Sequence, residues 1–554
     1  MTHTGGAVLQ APYPAAAIGH GPGNIGEGVP RFTLEKVSTP HPLAEIDLHG
    51  KGLFILTDDE SGVSAALAAE IKDRGGRAVI LKSRPDASDP DGFYCADLTD
   101  PGGLNYVLDG IRGHLGPISG LIHLKPLRGP TLFEEMDLKG WRDRLKSDVK
   151  GLYCLARALS ADLRAAGGKD GAWFISASTL TDGFEGDIDK EDFFAGHGGI
   201  AGFLKSIAQE WPEVICKTIQ LSTRSGVEVL AGHISREIRA RGRDVVVEYR
   251  GSRRSVYRAR MSPLDDTGET LRIGKDWVIL VTGGAQGITA QAALEIASRY
   301  APTMILAGRS ALPGPEPAEL SGLADGREIK QALIGMLKSG GGAVTPAAVE
   351  SAYQRLLKDR DIAGNMDALK KTGAKIEYVQ ADVRDGKGFK KIIDDIYRTY
   401  GRLDGVVHGA GIIEDRLVED KSPESFDRVF DTKADSAFIL SRSLRADSLR
   451  FIVFFTSVAG SFGNRGQSDY AAANELVNKL ALYMDKKING RVVAMNWGPW
   501  KKVGMVTQEV ERQFKERGIQ LIPPAAGIAS FERELVCGRK GDVEVVFGDG
   551  PWKI

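Results

Sequence analysis

The chain has 554 residues, more than one hydrophobic core usually organises, so we expect several domains or two large ones and exclude a small binding module. Hydrophobic residues make up 42% and charged residues 26%, which excludes wholesale disorder, collagen and coiled coil. The 72 Lys and Arg residues nearly balance the 73 Asp and Glu residues, so no global field attracts nucleic acid or an anionic membrane.

The cysteines and the apolar runs indicate a compartment. Cys95, Cys154, Cys216 and Cys537 have no CxxC spacing, so the sequence predicts neither a metal site nor a secreted disulfide framework. It has no signal-peptide pattern, and no apolar run reaches the roughly 18 residues of a membrane span. We therefore expect a cytoplasmic protein with no membrane partner. Residues 1–30, rich in Gly, Pro and Ala, are typical of a linker, although a cloning remnant with a frayed end fits equally.

Apolar β-type segments and amphipathic segments alternate along the chain. From Leu53 the order is LFIL, SGVSAALAAEIKDRG and RAVILKS, which predicts a parallel sheet with helices on both faces. The rhythm begins again at Trp277, where VILVTGGAQGITAQAALEI matches LFILTDDESGVSAALAAEI at an offset of 225 residues (57 to 282). Farther along, YCADLTD parallels VQADVRD and GLIHLKP parallels GVVHGAG. This duplication predicts an α/β fold with two tandem Rossmann-like doubly wound parallel sheets.

The copies differ where a cofactor would bind. The first turn of the second copy has glycines where the first copy has aspartates: Gly283 and Gly284 against Asp58 and Asp59. A pyrophosphate in the first copy would meet two carboxylates, so binding there should fail by charge repulsion. A later strand end differs too, with Gly409, Ala410 and Gly411 against Leu124, Lys125 and Pro126. We therefore expect residues 31–265 to be a degenerate structural half without a cofactor site, and residues 266–554 to be the catalytic half.

In the second copy, VILVTGGAQGIT predicts a strand, a glycine turn and a helix. Glycines let backbone N–H groups approach a pyrophosphate, whose charge the helix N-terminus stabilises. The next strand ends in Arg309 and Ser310, where an NAD enzyme commonly presents a carboxylate to the ribose. Guanidinium and hydroxyl groups suit a 2′-phosphate, which favours NADPH, unless Arg309 is an ordinary solvated residue. Asp382 could bind the adenine amino group or cap a helix. The predicted cofactor contacts are Thr282, Gly283, Gly284, Gly287, Ile288, Arg309, Ser310, Asp382, Val383, Gly409, Ala410 and Gly411.

The segment FIVFFTSVAGSFGNRGQSDYAAAN predicts a reactive constellation. Ser457 ends a buried strand, and Tyr470 is followed by Asn474 one helical turn later, so hydroxyl and phenol could both face the carboxyl edge of the sheet. A phenol with a pKa near its reference value of about 10 becomes a better proton donor beside an ammonium, which lowers that pKa. Lys433 is the candidate ammonium. Taken singly, these residues also fit a core tyrosine, a strand cap, a polar helix position and a solvated lysine.

These motifs stand in a recognisable order: TGGAQGI, LAGRS, ADV, HGAGI, Lys433, Ser457, YAAAN and NWGPW. In this the second half resembles the short-chain dehydrogenase/reductase superfamily, and within it the ketoreductase domains of polyketide and polyunsaturated-fatty-acid synthases. Generic members carry the lysine four residues after the tyrosine. Here Asn474 stands at that position and the lysine comes earlier, which is typical of synthase ketoreductases.

The resemblance implies that NADPH reduces a β-ketoacyl thioester to a β-hydroxyacyl thioester. Tyr470 would protonate the emerging alkoxide, Ser457 would hydrogen-bond that oxygen, and Lys433 with Asn474 would support the proton relay. The implied partners are an acyl carrier protein and neighbouring synthase domains, and the oligomeric state is left open. A free-standing reductase of soluble ketones or coenzyme A thioesters, and a catalytically silent nucleotide-binding scaffold, are the alternatives.

Stereochemistry is a further implication of the resemblance. B-type members carry an LDD triplet, which here is Ile413, Glu414 and Asp415, so only the last position matches. Phe462 stands where A-type members have a tryptophan, and the two positions together favour a B-type, (3R) product. The expected substrate and stereocontrol residues are Asp415, Phe462, Gln467, Pro499, Trp500 and Met505.

Three other segments are assigned through the same resemblance. In the first half Phe194 and Gly198 fall where Tyr470 and Asn474 stand, so that half lacks the proton donor. A helical insert at about 311–374 is either a structural cap beside the adenosine end or a docking face for a neighbouring domain. Residues at about 503–518 follow NWGPW and are expected to form a lid over the acyl chain.

Overall fold

One continuous sheet of fifteen strands runs through the computed structural model of this chain. The structure describes residues 28–41, 45–83, 94–129, 132–169, 171–181, 193–242, 244–265, 270–340, 344–501, 512, 516 and 518–552. The strands are β1 Arg31–Ser38, β2 Leu53–Thr57, β3 Arg77–Leu81, β4 Ile118–His123, β5 Ala172–Thr179, β6 Val214–Leu221, β7 Val246–Arg250, β8 Arg253–Met261, β9 Val278–Thr282, β10 Thr303–Gly308, β11 Lys375–Gln380, β12 Gly405–His408, β13 Phe451–Ser457, β14 Arg491–Trp497 and β15 Glu544–Phe547.

Helices cover both faces of the sheet, and most follow a strand at a short turn. They are α1 Val63–Asp73, α2 Pro101–Leu115, α3 Leu138–Leu145, α4 Gly151–Gly167, α5 Gly198–Glu210, α6 Val227–Arg239, α7 Gly287–Tyr300, α8 Gly326–Ser339, α9 Pro346–Lys370, α10 Gly386–Tyr400, α11 Pro423–Ser443, α12 Val458–Phe462, α13 Ser468–Lys487 and α14 Pro524–Cys537. No helix in the described part of the chain is long and apolar enough to cross a membrane.

Two blocks of parallel strands make up most of the sheet. The second block has the order β11-β10-β9-β12-β13-β14-β15, the arrangement of a doubly wound fold that splits between β9 and β12. The first block has the order β3-β2-β4-β5-β6-β7, and the counterpart of β11 is reduced to a single bridge between Lys82 and Cys95. The predicted α/β class with a degenerate first copy is therefore confirmed.

The two blocks are joined edge to edge, which the sequence did not predict. Strand β1 pairs antiparallel with β15, where Arg31 faces Phe547, and antiparallel with β8, which in turn pairs antiparallel with β7. Because three antiparallel steps separate β15 from β7, the strand direction reverses, and the carboxyl edges of the two blocks open on opposite sides. A buried ion pair between Arg31 and Glu534, with N–O distance 2.6 Å, fastens β1 to the second half.

Helices α5 and α13 pack against each other at backbone distance and join the two halves across one face. A Cβ placed on Gly202 would lie 2.6 Å from the carbonyl carbon of Ala471, and one on Gly198 would lie 2.8 Å from the carbonyl oxygen of Glu475. Only glycine permits this approach. Lys205 then forms a buried ion pair with Glu475 at 3.1 Å. The helix that carries Tyr470 is therefore positioned by the first half.

The insert contains the two helices α8 and α9. They share a small hydrophobic cluster that includes Ile329, Leu333 and Leu356. Helix α9 also reaches the sheet block, where the Asn365 side chain donates a hydrogen bond to the carbonyl oxygen of Ala285 at 3.0 Å. The insert thus braces the turn between β9 and α7.

The close approach of α5 and α13 predicts opposite effects for the same substitution at two helical glycines. We expect Gly202→Ala to destabilise the protein by about 1–3 kcal/mol, because the added methyl group overlaps the α13 backbone. Gly232→Ala in α6 meets nothing within 4 Å, so it should stabilise by about 0.5–1 kcal/mol through helix propensity. Thermal unfolding midpoints of both variants measure this, and a Gly202→Ala midpoint at or above that of Gly232→Ala would contradict the packing.

Candidate active site

The turn between β9 and α7 leaves a helix N-terminus open. Gly283 and Gly287 have φ angles of +75° and +57°, a conformation that side-chain-bearing residues rarely adopt. A Cβ on Gly287 would meet nothing within 4 Å, so space lies in front of the helix. Among the residues that the structure describes, no side chain caps the first amides of α7. Uncapped N–H groups at the positive end of a helix bind anionic groups such as phosphate.

The corresponding turn of the first half is closed by its own carboxylate. Asp59, fully buried, accepts hydrogen bonds from the backbone amides of Ser61, Val63 and Ser64 at 3.1, 3.1 and 2.7 Å. Burial alone would raise the pKa of Asp59, but these hydrogen bonds lower it below the ordinary value. The carboxylate is therefore ionised and occupies the amides that a phosphate would need. The sequence predicted repulsion by Asp58 and Asp59, and the structure adds this internal cap.

Several predicted cofactor residues have packing roles. A Cβ on Gly284 would lie 2.5 Å from Leu306 Cδ2, and one on Gly409 would collide with Thr289. These glycines let β9, β10, β12 and α7 pack closely around the open turn. Ala410, Gly411 and Ile288 remain partly or fully exposed at the same edge, whereas Val383 is buried.

Thr282 does not offer its side chain to a ligand, contrary to the sequence-based prediction. It is fully buried, its hydroxyl lies 2.7 Å from His408 Nδ1, and it accepts a hydrogen bond from the Ala410 amide at 3.3 Å. Thr57 and His123 form the same pair in the first half at 3.2 Å. Because both halves contain the pair, we assign it to tying adjacent strand ends together rather than to chemistry.

The adenosine end of the predicted site is set by three polar residues. Arg309 is exposed and has its positive charge near Asp382, whose carboxylate accepts from Arg384 at 2.6 Å. The Ser310 carbonyl accepts a hydrogen bond from Tyr378. The alternative of Asp382 as a helix cap is wrong, because Asp385 caps α10 through the amide of Lys387. Both Asp382 oxygens are engaged by Arg384, so an adenine contact would use their remaining lone pairs.

The four predicted catalytic residues, called the quartet below, lie together at the carboxyl edge of the second block. Ser457 ends β13, Tyr470 and Asn474 lie in the first turns of α13, and Lys433 extends from α11. Ser457 and Tyr470 are partly exposed, and the other two are buried. Lys433 Nζ donates to the carbonyl oxygen of Phe455 at 2.7 Å. A Cβ on Gly411 would lie 2.9 Å from Lys433 Cε, so that glycine makes room for the lysine.

The electrostatics of the quartet differ from the prediction. Burial raises the pKa of Tyr470, and hydrogen bonds with Asn474 and Ser457 offset only part of that effect. Lys433, predicted to lower this pKa, is not among the groups that shift it, and its ammonium donates to the Phe455 carbonyl. Burial also lowers the pKa of Lys433 to about 8. Tyr470 is therefore protonated and Lys433 mostly cationic near neutral pH.

One buried acceptor of the quartet is open. Asn474 donates from Nδ2 to the backbone carbonyl of Tyr470 at 2.7 Å. Its Oδ1 atom is buried and has no hydrogen-bond partner within the described ranges. A buried acceptor without a partner is costly, so this atom is suited to a water or a ligand group.

Residues expected to control stereochemistry lie beside Tyr470. Gln467 donates to Asp415 at 3.0 Å, and the Asp415 carboxylate is close enough to contribute to the raised pKa of Tyr470. The Glu414 carboxylate instead forms an ion pair with Arg428, with an Nη2–Oε2 distance of 2.8 Å. The triplet position that matches the B-type pattern is thus the one that faces the site.

Phe462, Pro499 and Trp500 were expected near the substrate, but they differ in their contacts and exposure. The Phe462 ring stacks on Trp552, with centroids 5.1 Å apart, a partner the sequence did not suggest. Pro499 is partly exposed, and its carbonyl accepts from Ile522. Trp500 was expected at the substrate, but its ring is 2% exposed and packs in the core against Trp497, so it is not a substrate contact. Met505, with most of the expected lid, lies outside the described residues.

The first half holds the loop between Ser457 and Tyr470, which sequence reasoning missed. Glu210, at the end of α5, accepts hydrogen bonds from the backbone amides of Val418 and Gly466 at 2.8 and 3.1 Å. Lys205 donates to the Gly460 carbonyl at 3.1 Å, and Gln209 donates to the Phe462 carbonyl at 2.9 Å. No sequence pattern could reveal these contacts, because each joins residues more than 200 positions apart.

Within the described residues no group of His, Cys, Asp and Glu side chains is arranged to hold a metal ion. At this edge a phenol, a hydroxyl, an ammonium and an amide can transfer protons and form hydrogen bonds. An open anion-binding helix lies beside them on the same edge of the sheet.

Comparisons with known proteins agree with this arrangement. A family model described as the KR domain matches residues 278–502. A polyunsaturated fatty acid synthase polypeptide from Thraustochytrium sp. is 31% identical over 371 residues, covering 65% of this chain and 13% of that protein. Polyketide synthase PksN of Bacillus subtilis is 26% identical over 349 residues, covering 62% of this chain and 6% of its own length. The chain thus spans a small part of these curated relatives.

Solved structures add the fold. A crystal structure of an N-terminal ketoreductase from the macrolactin assembly line superposes with a TM-score of 0.70 at 20% identity, covering 94% of this chain and 92% of that one. The resemblance drawn from the motifs is confirmed. The matched segment contains both the open glycine turn and the quartet, and residues 278–502 belong to the KR, or ketoreductase, domain family of polyketide and polyunsaturated fatty acid synthases.

Proposed function

We propose that this chain uses NADPH to reduce a β-ketoacyl thioester, bound to a carrier protein, to the (3R)-hydroxyacyl thioester. The observation that carries the proposal is the difference between two equivalent helix N-termini. That of α7 is uncapped and adjoins the quartet, whereas that of α1 is capped by Asp59. The cofactor site is therefore assigned to the half that contains Tyr470.

The residues at the carboxyl edge of the second block fit NADPH. The first amides of α7 and the space before Gly287 suit the pyrophosphate. Arg309 is exposed at the end of β10, where a guanidinium suits a 2′-phosphate better than a free hydroxyl. When bound, this cofactor supplies a hydride to the carbonyl carbon of the substrate.

The side chains of the quartet donate a proton to the carbonyl oxygen of the substrate and hydrogen-bond that oxygen. As the carbonyl oxygen gains the electron pair of its π bond, the Tyr470 phenol donates its proton to that oxygen, and burial keeps the phenol protonated until then. Ser457 donates a hydrogen bond to the same oxygen. The mostly cationic Lys433 then supplies the proton that restores the phenol, and the open Oδ1 of Asn474 accepts a hydrogen bond from the water that relays it.

The two halves of the chain have different roles in this proposal. We propose that residues 31–265 form a structural unit without cofactor, and that residues 266–554 form the catalytic unit. In support, Asp59 closes the first site, and Phe194 stands where the phenol would be needed. The first half acts on the reaction by holding the loop at residues 460–466 through Lys205 and Glu210.

The substrate and partners are inferred from the relatives. Both relatives are synthases by name, and this chain covers 13% and 6% of their lengths. A thioester on an acyl carrier protein, delivered among neighbouring synthase domains, is the corresponding substrate. Asp415 beside Gln467, with Phe462 in place of a tryptophan, supports the B-type entry of that substrate.

Replacing the phenol tests the proton donor. Tyr470→Phe should lower kcat for a β-ketoacyl N-acetylcysteamine thioester by about a hundredfold or more, the usual contribution of a positioned general acid. NADPH oxidation, followed by absorbance, measures the rate. Tyr483→Phe at the far end of the same helix should keep a rate near wild type. Equal rates for wild type and Tyr470→Phe would remove Tyr470 from the mechanism.

Copying the first-half carboxylate into the second half tests the cofactor site. Gly284→Asp should weaken NADPH binding, measured by nicotinamide fluorescence, because the new carboxylate would cap the amides of α7. Gly284→Ala adds the same Cβ beside Leu306 without the charge, so it measures the steric part. We expect Gly284→Asp to bind at least about tenfold more weakly than Gly284→Ala. Equal affinities would place the cofactor elsewhere.

The two backbone hydrogen bonds that Glu210 accepts, called the amide clamp here, can be tested without changing a residue of the quartet. Glu210→Gln presents an N–H group to one of the two amides, so the loop at residues 460–466 should shift and kcat should fall by about tenfold, with NADPH affinity unchanged. Glu213→Gln is the matched control, because Glu213 pairs with Arg164 at the surface. A Glu210→Gln enzyme with wild-type kcat would show that the clamp is dispensable.

The stereochemical proposal predicts a (3R)-hydroxy product from the wild type, read by chiral chromatography after hydrolysis of the thioester. Asp415→Ala should erode that selectivity, because the group held by Gln467 beside the phenol is removed. Glu414→Gln, whose side chain faces Arg428, should keep it. A (3S) product from the wild type would overturn the B-type assignment.

A further inference from the structure

A cavity of about 210 Å³ lies at the carboxyl edge of the first sheet block, away from the proposed cofactor site. Ser61 follows β2, Leu127 follows β4 and Thr179 ends β5, and all three line it. Strands β2 and β4 are where the connections of this block diverge, and open α/β sheets bind ligands at that point. The first half has therefore kept a space where its counterpart binds ligands.

The wall of this cavity has the positions of the quartet with different residues. Thr179 stands six residues beyond Trp173, which faces Gly120 on β4, as Ser457 stands six beyond Phe451. The Thr179 hydroxyl lies 2.8 Å from His197 Nδ1. Phe194 replaces the phenol and also lines the cavity.

A buried charge cluster borders the cavity. Asp148, with no exposed surface, accepts hydrogen bonds from Arg128, from Arg144 Nε at 2.7 Å and from His197 Nε2 at 3.0 Å. Burial lowers the pKa of His197 and lowers that of His123 to about 4, so both imidazoles are neutral. Two guanidinium groups thus face one carboxylate.

Other charged groups lie nearby. Lys125 pairs with Glu60 at 2.5 Å, and the ionised carboxylate of Asp59 is held by the amides of α1. Asp148 is therefore the one carboxylate that Arg128 and Arg144 share among the described side-chain contacts.

Arg144 is the group that can reach an anion in the cavity. Its side chain is 10% exposed and lines the cavity. Nε donates to Asp148, and Nη2 donates to the carbonyls of Pro126 and Arg128 at 2.9 and 3.2 Å. Nη1 has no acceptor in the part of the chain that the structure describes.

The hydroxyl, imidazole and carboxylate of Thr179, His197 and Asp148 are linked as in a hydrolytic triad, but the charges argue against hydrolysis. A triad carboxylate must stabilise the imidazolium that forms during reaction. Here the carboxylate already serves Arg128 and Arg144, and their charges oppose protonation of His197. The cluster therefore does not activate the hydroxyl.

We propose that this cavity is a binding site for a short-chain carboxylate, with the carboxylate on Arg144 Nη1 and an apolar tail against Leu127, Phe194 and Leu230. A cavity of about 210 Å³ suits a carboxylate of a few carbons and is too small for a dinucleotide. The Ser225 hydroxyl provides a further donor on the polar side.

Calorimetric titration of the full chain with hexanoate tests the proposal, with hexanamide as the neutral probe of the same shape. Hexanoate should bind at least about tenfold more tightly than hexanamide, because only the charged probe forms a charge-assisted hydrogen bond with Arg144. Undetectable hexanoate binding, or equal affinity for the two probes, would overturn the proposal.

Two variants of α6 locate the bound probe. Val227 lines the cavity, so Val227→Phe should fill it and weaken hexanoate binding by about tenfold or more. Val229, on the same helix, is 49% exposed and does not line the cavity, so Val229→Phe should leave the affinity unchanged. Thermal midpoints near wild type establish that both variants fold. Unchanged binding to a folded Val227→Phe variant would place hexanoate elsewhere and overturn the proposal.

Discussion

The contact between α5 and α13 is the constraint on which the rest of the molecule depends. Gly198 and Gly202 remove the side chains that would separate the two helices, and the backbones meet. That contact sets the position of the helix bearing Tyr470 and brings the end of α5, with Glu210, to the loop that precedes it. A half that has no cofactor site of its own thus fixes the geometry of the half that carries the quartet.

The two halves also show how one carboxylate decides whether a glycine turn can bind a phosphate. In α1 the amides of the first turn are satisfied by Asp59, so the helix needs no ligand. In α7 they are left uncapped, beside Gly287 and its open space. The first half gains stability from this internal cap, and the second retains a site.

Local patterns predicted much of this structure. Alternating apolar segments gave the α/β class, and the glycine turn and the order of Lys433, Ser457 and Tyr470 gave the edge of the sheet where they gather. Longer-range features were beyond the sequence. The joining of the sheets depends on β1 pairing with a strand some 500 residues away. The raised pKa of Tyr470 depends on its burial, and the burial of Trp500 depends on α14, neither of which a motif encodes.

The antiparallel pair that joins the halves has a mechanical consequence. The start of β1 lies beside the end of β15, so chain entering at Arg31 and chain leaving at Phe547 emerge from one point of the sheet. Tension applied through these flanks would peel the two strands apart one hydrogen bond at a time instead of shearing all of them together. The ion pair of Arg31 with Glu534 lies at this end of the two strands and strengthens the seam where such a load would arrive.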